Sequence, residues 1–78
     1  MNQIAAFVNN DKPSYTVVIF DLLGAYSVRV CDKSHVISEK LFCHSNAITR
    51  EVAKQEAMTY ARSIIPLPHH VLLFGGEG

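Results

Sequence analysis

The chain places its hydrophobic and polar residues in two rhythms, a period of two in its first half and a helical period in its second. Tyr15 to Phe20 (YTVVIF) is an unbroken β-branched and aromatic run with the length and chemistry of a buried strand. Asp21-Leu22-Leu23-Gly24 closes it, with Gly24 able to take the positive φ of a hairpin loop. Ala25 to Cys31 (AYSVRVC) then alternates cleanly. Tyr26, Val28 and Val30 share one face and Ser27, Arg29 and Cys31 the other, as in a half-buried antiparallel strand. Asp32-Lys33-Ser34 predicts a turn, and 35–43 (HVISEKLFC) a third strand. Its alternation puts Ile37, Glu39 and Leu41 on one face and Val36, Ser38, Lys40 and Phe42 on the other.

The helical rhythm follows. Ser45 or Asn46 is a suitable N-cap, and 46–64 holds no Gly or Pro and many helix formers. Ala53, Ala57, Tyr60, Ala61 and Ile64 form one stripe, and its three alanines let a helix lie close to a sheet. Ile48 and Val52 fall off the stripe. Pro66 and Pro68 end the helix, and 70–74 (HVLLF) predicts a last strand before the glycine-rich residues 75–78. Residues 1–8 (MNQIAAFV) read as a short edge strand or a frayed arm, and 9–14 as a turn cluster. The expectation is an α+β fold: a small antiparallel sheet in the order β-β-β-α-β, with an optional extra N-terminal strand and one helix packed on one face. Residues 1–78 form a single domain, with 1–13 and 75–78 as candidate flexible ends.

Composition narrows the function classes. With 78 residues, 49% of them hydrophobic and 18% charged, the chain suits one small folded domain with a thin core. Its 7 Lys+Arg balance 7 Asp+Glu, which removes the basic excess of a phosphate-tracking domain. No apolar run approaches the roughly 18 residues that span a bilayer, and Ile4 to Val8 is too short for a signal-peptide core. The expectation is a cytoplasmic protein that does not engage a membrane.

The chemistry-bearing residues do not assemble into a site. Cys31, His35, Cys43 and His44, with His69 and His70, are the candidates for metal. In a hairpin turning at 32–35, Cys43 lies across from Leu23 or Gly24, so Cys31 is about seven residues away along the strand, or roughly 23 Å. One zinc or one disulfide cannot hold both. Phe20-Asp21-Leu22-Leu23-Gly24 with Arg29 resembles the first phosphate-binding hairpin of sugar kinases, but with a single glycine and no second lobe. There is no phosphate-cradling glycine loop and no nucleophile elbow. The expectation is therefore no catalytic residues, no metal and no cofactor. Arg50, Lys54 and Arg62 on the helix, and Lys33 and Lys40 on the hairpin, are interleaved with Glu39, Glu51 and Glu56, as on a solvated mixed-charge face.

The hairpin Gly24 to Val30, the alanine-spaced helix and the closing Val71-Leu72-Leu73-Phe74 together resemble small phage and prophage proteins over residues 14–74. Among these are inhibitors of the anti-CRISPR kind. The same order looks like the HicB-type antitoxin domain, without its acidic-Leu-Pro-Gly turn, and like the double-stranded-RNA-binding fold, without its lysine cluster. The first resemblance implies a non-catalytic protein-binding module that sterically blocks a bacterial defence complex, with a CRISPR effector or other host complex as partner. The contact residues expected for it are Tyr26, Arg29, Lys40, Arg50, Glu51 and Lys54. The alternatives are a small nucleic-acid-binding regulator using Arg29, Lys33, Lys40, Arg50 and Lys54, and an antitoxin-like homodimer joined through an edge strand.

Overall fold

A computed structural model describes residues 2–74 of the chain. Its elements are β1 (Asn2–Asn9), β2 (Tyr15–Leu22), β3 (Ala25–Asp32), β4 (His35–Cys43), α1 (Arg50–Ile64) and β5 (His69–Leu73). The strands form one antiparallel sheet in the order β4-β3-β2-β1-β5, with the helix against one face. This is the α+β fold that the change of rhythm predicts. The glycine-rich residues 75–78 lie outside the described residues.

The N-terminal segment departs from the sequence reading. It is neither an edge strand nor a frayed arm. β1 pairs with β2 on one side and with β5 on the other. Ala5, Ala6 and Phe7 are buried as a result. The chain's last strand crosses over to pair with its first, a non-local partner that local propensity cannot show.

The core lies between α1 and the helix-facing side of the central strands. Val17 and Ile19 of β2, Tyr26, Val28 and Val30 of β3, and Ala5 and Phe7 of β1 meet Ala53, Ala57 and Ala61 there. All three alanines are fully buried, so the helix backbone seats directly on the β-branched floor. Tyr60 and Ile64, expected on the same stripe, are half-buried on its flanks.

The helix begins later than 46. Ser45 Oγ accepts from the amides of Ala47 (3.2 Å) and Ile48 (3.4 Å), which spends the first cap residue on a turn. Thr49 Oγ1 then accepts from Val52 N (3.3 Å) and caps α1. At the other end the amide of Ile65 donates to Ala61 O, and Pro66 stops the helix. Asn9 anchors the return. Its Nδ2 donates to Pro66 O (2.9 Å), while its Oδ1 accepts from Asp11 N and Lys12 N.

Two turns set the hairpin registers. Gly24 has φ +84 in the β2–β3 turn, where glycine carries no steric penalty. Lys33 and Ser34 both have positive φ, 51 and 72, between the paired Asp32 and His35. That is a two-residue loop of the primed kind, built without glycine. A bulge in β4 leaves Ile37 unpaired: Val30 opposes Ser38, but Cys31 opposes Val36. Val36 therefore joins Cys31 on the face away from the helix, not the face shared by Ser38 and Lys40 that simple alternation assigns it. Cys43 pairs with Ala25 rather than with Leu23 or Gly24, and both cysteines are free thiols.

Candidate docking edges and groove

Among the described residues, nothing covers either edge strand. β4 is exposed along nearly its whole length, with Val36 at 57%, Ile37 at 59% and Leu41 at 51% of full exposure. β5 exposes Val71, Leu72 and Leu73, the last at 72%. The helix lies over β2, β3 and β4 and leaves the β5 side of its own face open.

The ladder geometry shows which backbone groups each edge presents. His44 N donates to Gly24 O (3.1 Å), so hydrogen-bonded pairs between β3 and β4 fall on even β4 residues, among them Phe42, Lys40 and Ser38. The amides and carbonyls of Glu39, Leu41 and Cys43 consequently point outward from the sheet. On the other edge, Phe74 N donates to Ile4 O (3.0 Å), and the same alternation turns His69, Val71 and Leu73 outward. Each edge offers an incoming strand a row of unpaired donors and acceptors beside apolar side chains.

A groove of about 690 Å³ runs between α1 and β4. Phe42, Val52 and Tyr60 supply its apolar surface, and Glu51 and Glu56 stand on its helical wall. The rings of Phe42 and Tyr60 meet at 5.5 Å, and Lys40 Nζ lies 4.9 Å from the centre of the Tyr60 ring and 5.5 Å from that of Phe42.

The six residues expected to touch a partner fall in separate places. Tyr26 is 3% exposed and packs beneath the helix. Its hydroxyl accepts from Arg50 Nε (3.0 Å), and Arg50 also pairs with Asp21. Those two partners, Tyr26 foremost, hold the Arg50 guanidinium above its ordinary pKa. This cluster ties the start of α1 to the β2–β3 hairpin. Arg29 sits on the opposite sheet face, over the Phe20 ring (4.7 Å), and donates to Glu39 (2.9 Å). The buried Ser27 hydroxyl donates to the same carboxylate, and Ser27 first and Arg29 second hold the Glu39 carboxyl below its usual range. Lys40 and Glu51 flank the groove, while Lys54 stands on the helix outside it. The structure thus pairs Tyr26 with Arg50 at a structural joint, sets Lys40 over the aromatic rings of the groove and Glu51 on its helical wall without an ion pair between them, and leaves Arg29 and Lys54 apart.

Sequence reasoning passed over Phe42, Val52 and Glu56 at the groove, Leu41 on the β4 face away from the helix, and Val71 and Leu73 on β5. The available signal was that 35–43 is apolar on both faces, a pattern expected for a central strand, yet it lies at the edge.

Among the basic residues, Arg29 and Arg50 are ion-paired on opposite sides of the sheet, and Lys12 pairs with Asp32 (3.1 Å). No group of three or more His, Cys, Asp or Glu side chains among the described residues is placed to hold a metal. No helix among them is long and apolar enough to cross a membrane. Comparison of the chain with protein-family models, with curated proteins and with solved structures returns no match.

Proposed function

We propose that the chain is a non-catalytic protein-binding module whose docking elements are its free sheet edges. The observation that carries this reading is the pair of uncovered edges, each joining outward-facing backbone groups to exposed aliphatic side chains. A partner strand laid along such an edge gains ladder hydrogen bonds and covers apolar surface at once. The β5 edge suits this role particularly well, because the adjoining helix-side surface of Val71 and Leu73 is left open by α1. The narrower form of the proposal is an inhibitor of the anti-CRISPR kind, acting in the bacterial cytoplasm by steric occlusion of a defence complex. Its support is the size of the chain, its neutral charge and its order of elements.

The test is an affinity capture from bacterial lysate, with and without nuclease, using wild type and Val71→Pro. Proline at Val71 removes an outward N–H while sparing the pairing with β1. The module reading expects a stoichiometric protein that survives nuclease and is lost with Val71→Pro. Capture that disappears on nuclease treatment would transfer the assignment to nucleic-acid binding, and binding indifferent to the substitution would overturn the β5 edge.

A further inference from the structure

We infer that the β4 edge is occupied by the β4 edge of a second copy of this chain, in an antiparallel register centred on Leu41. This rests on the reading of the sheet edges as docking elements, and it assigns one of the two.

Symmetry restricts the arrangement first. Two antiparallel edge strands in a continuous sheet are related by a two-fold axis perpendicular to that sheet, which returns each face to itself. A residue therefore opposes a residue of its own face. The outward-pointing backbone groups of Glu39, Leu41 and Cys43 must supply the bonds. Registers centred before Glu39 run into the bulge at Ile37, where the ladder is broken. Centring on Glu39 opposes two carboxylates, and centring on Lys40 opposes two ammonium groups. Centring beyond Leu41 leaves fewer ladder bonds, since β4 ends at Cys43.

Centring on Leu41 resolves each of these conflicts. The half-exposed Leu41 meets the partner's Leu41 on the open face. On the helix face, the partner's Lys40 comes opposite Phe42, at the mouth of the groove whose helical wall carries Glu51 and Glu56. Among the described residues Lys40, Glu51 and Glu56 form no ion pair within the chain, so the groove has negative charge to offer and the edge strand has the cation to fill it. The aromatic surface of Phe42 and Tyr60 that already receives Lys40 can receive the partner's Lys40 from the other side.

The helices fit as well. Each α1 lies over the β2–β3–β4 side of its sheet, and the two β3 strands of the paired sheets stand about 14 Å apart, three strand spacings. Helices of about 10–12 Å diameter pass side by side at that distance. Between them lie Val52, Phe42 and Tyr60 of both copies, so the open side of each groove is closed by the other copy's helix.

Sedimentation from about 1 µM to about 1 mM tests this on the full chain. The expected result is a reversible dimer. Leu41→Pro, which removes an outward amide, makes it monomeric with an unchanged circular-dichroism spectrum. Lys40→Glu and Glu56→Lys each weaken self-association about tenfold through like charges, and an equimolar mixture of the two recovers a heterodimer. A wild type that stays monomeric overturns the inference, while nuclease-resistant capture through β5 still stands or falls separately. A dimer that persists in Leu41→Pro overturns the β4 seam, and a mixture that fails to recover association overturns the register.

Discussion

Replacing Ala57 by leucine tests the helix seat. Ala57 is fully buried at the middle of the alanine row, against a floor that includes Ile19 and Val28. Leucine adds three carbon atoms where no solvent-accessible space exists, so the helix must lift or the floor must leave its rotamers. Such overpacking costs about 1–3 kcal/mol. Helix propensity contributes little, since leucine is nearly as good a helix former as alanine. A domain of this size has a total stability of roughly 4–12 kcal/mol. A loss of about 2 kcal/mol therefore lowers Tm by roughly 8–16 °C. Urea unfolding followed by circular dichroism reads the loss directly, with Gln55→Leu on the exposed helical surface as the control. An Ala57→Leu protein within about 0.5 kcal/mol of wild type would refute the close seating of the helix.

Three other substitutions probe separate parts of the structure. Thr49→Ala removes the acceptor for Val52 N and lowers stability by about 1 kcal/mol in the same urea assay, whereas Asn46→Ala, at the cap position read from sequence, changes little. Ser34→Gly relieves a positive φ of 72 in the β3–β4 turn and raises stability by about 1 kcal/mol. Glu39 and Asp32 have carboxyls held below their ordinary values, Glu39 chiefly by the Ser27 hydroxyl and Asp32 chiefly by Lys12. Their contribution is complete above the ordinary carboxylate range and disappears as pH falls through the lowered values, so stability drops on acidification. Glu39→Gln flattens that drop in urea titrations run from neutral to acid pH, and an unchanged slope would remove Glu39 as a source.

The parts of the fold legible in the sequence are those specified by near neighbours. Val17 and Ile19 of β2 and the alternating Tyr26, Val28 and Val30 of β3 carry their burial in their own pattern, and the alanine row announces its packing face. Non-local choices were not legible. Nothing within MNQIAAFV indicates that β5 will pair with it, and two alanines weaken its strand signal. The bulge at Ile37 moved Val36 to the other face, which alternation alone cannot anticipate. The start of α1 was displaced because Ser45 and Thr49 are both competent caps, and only the tertiary position of the helix decides between them. The candidate edges were hidden for a related reason. Apolar residues on both faces signify either a covered strand or one that awaits cover, and the strand order distinguishes the two.

Amide hydrogen exchange, measured on the chain alone and in its nuclease-resistant complex, tests the role of the sheet edges most directly. The account predicts new protection at the outward amides of Val71 and Leu73, with the buried β2–β3 ladder unchanged. New protection confined to other surfaces, with β5 exchanging as freely in the complex as in the free chain, would contradict it.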